Sequence, residues 1–310
     1  MATSTTYAMK GKSKRIKKDG ITLFLLSTPF IIAMILFSYF PVYGWIYAFF
    51  DYKPGIPLSS TPFVGLSNFQ KIFDTPADLI NALINTLAMN FLNILLSPLA
   101  IVFAIMINEV RSTRYKKFVQ TLSTLPNFIS WVLVFSLAFA FFSSDGFINT
   151  VLSKLGVDKQ IDPIGTESVT WFFQAGITVW KSLGWSAIIY IAAIAGIDGE
   201  LYDAAKVDGA GRFKSIWHIT VPGVLPTFFV LLLLSVSNML SSSFDQYFVF
   251  YNPLVADKIE VLDYYVYRAG IKVGDYPFAT AVGMFKTLVS VVLLFSVNFI
   301  SKKIRGQSMI

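Results

Sequence analysis

The chain has 310 residues, of which 55% are hydrophobic and 14% are charged. Soluble domains carry about 25% charged residues, so the composition argues against a soluble enzyme and against a disordered scaffold. Cysteine is absent and His218 is the single histidine, which excludes disulfides, thiolate metal sites, cysteine nucleophiles and a histidine-built metal site. The net charge of +7 and the pI of about 9.3 would suggest nucleic acid as a partner in a soluble protein.

Six apolar segments follow one another along the chain, each longer than the about 20 residues that a helix needs to cross a bilayer. They greatly exceed the roughly 9–11 residues of a membrane β-strand. The sequence therefore predicts an all-α membrane protein with six transmembrane helices, at residues 21–50, 79–108, 118–144, 168–197, 219–244 and 276–301. The first segment is also much longer than the roughly 7–15 apolar residues of a signal peptide, so we expect it to remain as the first helix.

Lysine and arginine are distributed unevenly between the two sides of the predicted membrane. The two terminal tails and the loops after the second and fourth spans hold 16 of them, and the opposite side holds seven. Because cytoplasmic loops are enriched in these residues, both termini are predicted to be cytoplasmic, with a net charge of +10 on that face and −5 on the outer face. Topology therefore explains the basic pI, and nucleic acid is not needed as a partner. Residues 53–76, 145–166 and 245–275 are predicted to be outer loops.

The loop between the fourth and fifth spans, residues 198–222, has the most distinctive pattern. Asp198 is placed to cap a short helix, and Glu200 suits the positive end of the helix dipole. Gly209 and Gly211 can end that helix and turn the chain. A short helix with small alanine side chains, held beneath the membrane, is suited to dock into a cleft of another protein.

The loop also contains Asp203-Ala204-Ala205, then Asp208-Gly209-Ala210, and later Pro222. With these residues it resembles the EAA loop of binding-protein-dependent ABC importer permeases, although the family pattern begins with Glu where this chain has Asp203. Other segments resemble the oligosaccharide and polysaccharide permeases of Gram-positive bacteria. They are the basic tail ending in KKD at residue 19, FPVYG at 40–44, LPNFISW at 125–131 and YVYRAG at 265–270.

The resemblance implies the ABC importer type I permease fold, with the permease domain at residues 81–301 and the coupling loop at 198–222. Before it come a basic tail (1–20) and the first helix with its outer loop (21–80), and after it a cytoplasmic tail (302–310). The resemblance also implies a second homologous permease subunit, two cytoplasmic ATPase subunits that bind ATP and Mg, and an extracellular lipoprotein that delivers an oligosaccharide. The chain itself is expected to bind no cofactor and to be no enzyme, since it lacks a G-x-x-x-x-G-K-[ST] phosphate loop. The implied ATPase-coupling residues are Glu200, Asp203, Ala204, Ala205, Asp208, Gly209, Ala210 and Phe213.

Polar side chains inside the predicted spans are the candidate substrate path, because polar groups at membrane depth face a cavity or another helix. Each either contacts a sugar or holds two helices together. Lys181 and Lys286 lie roughly 15 Å from the outer ends of their spans. Each is either paired structurally, for Lys181 with backbone freed by Pro126, or suited to contact an acidic glycan. The negative outer face argues against a funnel for polyanions. The candidates are Asn90, Asn93, Asn127, Ser130, Trp131, Gln174, Trp180, Lys181, Trp185, Asn238, Ser241 and Lys286.

Two further features have no assigned substrate role. The basic tail from Lys10 to Lys18 either binds anionic membrane lipid or acts only in setting the topology. His218, beside the coupling loop, is expected to lie at the surface or at an interface.

A stand-alone secondary transporter or channel for a small polar solute is the alternative function. Ion coupling would require an acidic residue inside the membrane, yet no Asp or Glu lies in a predicted span. A membrane-embedded enzyme would need a clustered catalytic set, and the predicted spans offer no metal ligands, nucleophile–base pair or paired carboxylates.

Overall fold

The computed structural model describes residues 12–74, 76–157, 160–241 and 243–305. Within these ranges helices alternate with short connections, and one antiparallel bridge joins Phe50 to Phe63. The predicted all-α architecture with six spans is confirmed, whereas residues 1–11 and 306–310 of the predicted tails lie outside the described residues. The six helical stretches long and apolar enough to cross a membrane are Gly20–Phe49, Ala77–Glu109, Trp131–Lys154, Glu167–Ala195, Arg212–Ser237 and Tyr276–Phe299.

Fifteen α-helices make up the described part of the chain. They are α1 (Lys12–Met34), α2 (Ser67–Asp74), α3 (Pro76–Leu96), α4 (Pro98–Glu109), α5 (Thr113–Thr124), α6 (Trp131–Phe142), α7 (Phe147–Lys154), α8 (Thr170–Ala195), α9 (Gly199–Val207), α10 (Arg212–Ser215), α11 (Val221–Ser237), α12 (Phe244–Phe250), α13 (Ala256–Ile259), α14 (Leu262–Tyr267) and α15 (Tyr276–Arg305).

The first span projects away from the rest of its own chain. Helix α1 continues through a π-helical turn, Ile35–Tyr39, into a 3₁₀ segment, Phe40–Phe49. No residue between 20 and 43 is buried, and only Thr28 in that stretch is half-buried. The end of the span packs on α15, where Ala48 is buried.

Proline and polar residues divide two of the predicted spans. Ser97 and Pro98 separate α3 from α4 in the second span. The third span was predicted at 118–144, but the structure places α5 and a short 3₁₀ segment, Leu125–Phe128, before α6, so the membrane-length stretch begins at Trp131. The prediction was wrong because Pro126 has no amide hydrogen to donate and the helix is interrupted there, and the Ser130 hydroxyl then caps α6 by accepting from the Leu133 amide at 3.4 Å.

The fifth span and the loop after it also differ from the prediction. Helix α11 ends at Ser237, and the membrane-length stretch is Arg212–Ser237 rather than 219–244. Residues 245–275, predicted as an outer loop, form helices α12 to α14 and bury large aromatic side chains such as Tyr247, Phe250 and Tyr264. These helices form because their aromatic side chains are buried against neighbouring helices. Such burial cannot be predicted from the hydropathy pattern along the chain.

Three clusters of buried side chains hold the helices together. The first joins α3, α6, α12 and α14 around Met89 and Tyr264. The second joins the end of the first span to α2, α3, α14 and α15. The third joins α4, α8 and α11 through small residues, with Ala104 and Ala187 fully buried. Small side chains allow membrane helices to approach closely, and α8 is therefore held tightly against α4 at the centre of the chain.

Candidate functional site

The loop predicted to couple to an ATPase forms a short helical hairpin. The Asp198 carboxylate caps α9 by accepting from the Glu200 amide at 3.0 Å, which confirms the predicted cap. The helix ends in a Schellman motif, in which the Ala210 amide donates to the Ala205 carbonyl at 2.8 Å. Gly209 has a φ of +73°, the left-handed region that side chains disfavour. Glycine is therefore required for this turn.

The tip of the hairpin exposes large apolar side chains. Val207 and Phe213 are each 88% exposed, and Leu201 and Trp217 are exposed as well. Leu201 and Val207 lie between the fourth and fifth spans, and Phe213 and Trp217 lie near the start of the fifth. None of them lies in the middle of a span, and an exposed apolar patch at such a position marks a binding site for another protein. Of the other predicted coupling residues, Glu200, Asp203, Ala204, Asp208 and Gly209 are exposed, and Ala205 and Ala210 are half-buried.

Polar contacts tie the hairpin to the spans around it. The Arg212 guanidinium lies 3.2 Å from the Glu109 carboxylate and donates to the Glu109 carbonyl at 3.1 Å, which fixes the hairpin to the end of α4. The Tyr202 and Thr220 hydroxyls lie 2.9 Å apart, next to the start of α11. Glu109 and Tyr202 had no signal in the sequence, because their partners are distant in the chain. His218 is exposed, as predicted.

The first cavity, of about 470 Å³, lies between α3, α8 and α11. Four predicted path residues line it: Asn90, Asn93, Asn238 and Ser241. Helices α3 and α8 contribute polar side chains at helical spacing, and Ser235 of α11 adds another. The residues with polar side-chain groups that the prediction missed are Ser97, Thr178, Ser182, Ser186, Tyr190 and Ser235. The i, i+4, i+8 spacing of Thr178, Ser182 and Ser186 places them on one face of α8, and that period could have identified them.

The second cavity, of about 690 Å³, brings together four other predicted residues. Asn127, Ser130 and Trp131 line it with Lys181 and with Asp245, which the sequence had placed in an outer loop. Thr178 and Ser182 line both cavities, so the polar face of α8 connects them.

Lys181 is held by backbone carbonyls. Its ammonium donates to the carbonyls of Pro126, Asn127 and Ile129 at 2.9, 2.9 and 2.6 Å. It also lies 5.3 Å from the centre of the Trp131 ring. A lysine ammonium has three N–H donors, and all three bond to carbonyls in the break between α5 and α6. The structural interpretation of Lys181 is therefore the one that the structure favours.

Four of the predicted path residues lie away from these two cavities, namely Gln174, Trp180, Trp185 and Lys286. The Gln174 amide is buried and accepts from the Gln246 amide at 2.9 Å, so it joins α8 to α12. Trp180 lines an apolar groove with phenylalanines of α6 and α8. Trp185 is 48% exposed and packs edge-on against Phe128, with the ring centres 5.7 Å apart.

Lys286 forms an ion pair with Asp263, which joins α15 to α14. Both residues line a third cavity of about 590 Å³, together with Ser241. The predicted need for a partner at membrane depth is confirmed, and the partner comes from the segment that was predicted to be an outer loop.

Two other cations hold the segment between the fifth and sixth spans. Arg268 donates to the Glu260 carboxylate at 2.6 Å and to the Asp78 carboxylate at 3.2 Å, which ties the segment to α3. Lys272 donates to the Tyr264 hydroxyl at 2.7 Å, and this hydrogen bond raises the pKa of Lys272 above its ordinary value. Among the described residues, no group of three or more His, Asp or Glu side chains could hold a metal ion.

The chain is similar to membrane subunits of transport systems over nearly its whole length. The sequence profile described as "Binding-protein-dependent transport system inner membrane component" matches residues 97–306. The polygalacturonan/rhamnogalacturonan transport system permease protein YteP of Bacillus subtilis (strain 168) is 39% identical over 285 residues, which cover 91% of this chain and 88% of that protein. Protein LplB of the same organism is 38% identical over 292 residues, covering 93% of this chain and 90% of LplB.

Solved structures show the same likeness. A chain of a bacterial ABC transporter involved in the import of the acidic polysaccharide alginate matches with a TM-score of 0.83 and 34% identity, covering 94% of this chain and 98% of that chain. A second structure of the alginate transporter, in complex with an alginate pentasaccharide-bound periplasmic protein, matches with the same TM-score.

Proposed function

This chain belongs to the family of binding-protein-dependent transport system inner membrane components, and we propose that it carries an oligosaccharide delivered by an extracellular solute-binding protein. It is a multi-pass plasma-membrane subunit rather than an enzyme. The names of its relatives support a carbohydrate substrate, since YteP is named for polygalacturonan and rhamnogalacturonan and the matching structures for alginate. Membership of this family also argues against the alternative function, a secondary transporter or channel that works alone.

The observation that carries the proposal is the hairpin of α9 and α10. Its exposed Val207 and Phe213 side chains suit insertion into a cleft of a separate ATPase, which binds ATP and Mg. When ATP closes the ATPase dimer, the cleft moves and takes the hairpin with it. The Arg212–Glu109 ion pair passes the motion to α4, and the π-helical turn Ile216–Thr220 passes it to α11.

The motion then reaches the substrate path through packed helices. Helix α4 packs on α8 through small side chains, and α8 lines the first and second cavities. Displacement of α4 and α11 therefore changes the walls of both cavities together. Alternation between an outward-open and an inward-open path follows, with the saccharide moving along the polar face of α8.

A second, homologous permease subunit completes the complex, together with two ATPase subunits. The first span of this chain supports that arrangement, because its residues from 20 to 43 bury nothing against the rest of the chain. In this assembly the permease domain spans residues 81–301, and both termini and the hairpin face the cytoplasm.

Gly209→Val tests the coupling role of the hairpin. A β-branched side chain at a φ of +73° is strongly disfavoured, so the variant should deform the turn that presents Val207 and Phe213. We expect the ATP hydrolysis stimulated by binding protein and oligosaccharide to fall roughly 5- to 30-fold in proteoliposomes, since roughly 1–2 kcal/mol of strain acts on the docked turn.

Gly211→Val is the matched control. Gly211 is equally open to solvent but has an ordinary φ of −72°, so this variant should keep most of the stimulated activity. Retention of full stimulation by Gly209→Val, with normal membrane insertion of both variants, would contradict the assignment of the hairpin to ATPase coupling.

A further inference from the structure

Several hydrogen-bond donors in the polar walls of the first cavity are already used inside the protein, where they bond to backbone carbonyls and leave oxygen lone pairs facing the cavity. This property bears on which saccharide the chain can bind, because neutral sugars carry many hydroxyl donors whereas an ionised carboxylate only accepts.

The serine hydroxyls of the first cavity donate to backbone carbonyls of their own helices. Ser97 donates to the Ile94 carbonyl at 2.7 Å, Ser182 to the Thr178 carbonyl at 2.7 Å and Ser235 to the Leu231 carbonyl at 2.9 Å. A hydroxyl has one hydrogen and two lone pairs. These three side chains therefore present oxygen lone pairs, and no hydrogen, to a molecule in the cavity.

Two amides of the first cavity each use one of their two N–H donors in the same way. The Asn90 amide donates to the Thr86 carbonyl at 3.0 Å and the Asn238 amide to the Leu234 carbonyl at 2.9 Å. The Asn93 Oδ1 atom is buried and has no hydrogen-bond partner among the described residues. A buried acceptor without a partner is costly, and a ligand hydroxyl would satisfy it.

The ammonium groups of both lysines near the path already have partners inside the protein. All three donors of Lys181 are directed to carbonyls, and the charge of Lys286 is compensated by Asp263. The second cavity instead contains the carboxylate of Asp245, whose side chain has no ion-pair or hydrogen-bond partner among the described residues. This carboxylate accepts strongly from hydroxyls and repels another carboxylate.

We propose that the part of the path formed by this chain binds an uncharged, hydroxyl-rich saccharide unit and discriminates against uronates, with Asp245 and the buried Asn93 oxygen as the specificity-determining acceptors. The pyranose ring stacks on Trp131 in the second cavity, and its hydroxyls donate to Asp245 and to the α8 hydroxyls. This inference rests on the proposed function and narrows its substrate class.

The test uses the assembled transporter without its binding protein, so that the preference of the binding protein does not enter. Galactotriose and trigalacturonate differ only in oxidation at C6, and their binding is compared by ligand-detected NMR. The wild-type complex should bind galactotriose about tenfold more tightly, which is the effect expected from one hydrogen bond to a charged group. Asp245→Asn should remove most of that difference, because the amide no longer repels a carboxylate and can donate to it.

Two variants make the result specific. Asp257→Asn changes an exposed acid in the first turn of α13, outside both cavities, and should leave the ratio unchanged. Asp245→Glu keeps the charge and should keep the preference. Co-purification of all subunits reports assembly for each variant.

Equal or tighter binding of trigalacturonate by the wild-type complex would overturn the inference while leaving oligosaccharide import in place. The same holds if an assembled Asp245→Asn complex keeps the full preference for galactotriose. Binding of neither sugar, together with no import of any oligosaccharide in the presence of binding protein, would instead refute the proposed function, and the inference with it.

Discussion

At the scale of single residues, Lys181 shows how far sequence reasoning reaches. A lysine at membrane depth requires a partner, and Pro126 was the predicted source of free backbone groups. The structure supplies the carbonyls of Pro126, Asn127 and Ile129. The sequence could not choose between this pairing and a contact with an acidic glycan, because the position of α8 against the α5–α6 interruption depends on tertiary packing.

Lys181→Met should lower the thermal stability of the purified complex substantially. The substitution keeps a long side chain but leaves three carbonyls without their charged donor, at a cost of about 2–3 kcal/mol. Lys154→Met, at an exposed position in the last turn of α7, should change the unfolding midpoint little. Equal midpoints for the two variants in a thermal melt followed by size-exclusion chromatography would show that the carbonyl contacts contribute nothing.

At the scale of elements, the sequence predicts the existence of all six spans but not where they break or what covers them. Apolar length alone identifies a span, so the second, fourth and sixth spans lie close to their predicted limits. The interruption at Pro126 shifts the third span, and helices α12 to α14 were missed in the segment 245–275. That segment is short of apolar runs, and its structure depends on burial against α3, α6 and α15.

Gly184→Ala should destabilise the crossing of α8 over α5. A Cβ atom at Gly184 would lie 2.2 Å from the Ser123 carbonyl oxygen, so the backbones would have to separate, at a cost of about 1–3 kcal/mol. Gly176→Ala, in the same helix but in open space, should be neutral or should stabilise by up to about 1 kcal/mol through helix propensity. The thermal midpoints of the two purified variants give the comparison, and a Gly184→Ala protein as stable as the Gly176→Ala protein would disprove the tight crossing.

At the scale of the whole molecule, orientation in the membrane stays a prediction from charge, and the chain offers a clean test of it. Because the native sequence has no cysteine, single cysteines can be introduced without background labelling. Ser153→Cys, exposed on α7, should react with a membrane-impermeant maleimide in intact cells. Lys117→Cys, exposed on α5, should react only after the membrane is permeabilised. The reverse pattern would place both termini outside.

The exposed part of the first span, residues 20–43, has a consequence for how the sequences of such proteins diverge. Its side chains from residue 20 to 43 contribute almost nothing to the stability of the bundle that follows. Substitutions there are constrained by neighbouring lipid or by a companion subunit, and not by the internal packing of residues 77–305. The sequence of residues 20–43 can therefore change with its surroundings, while the sequence of the transport core stays constrained by its own packing.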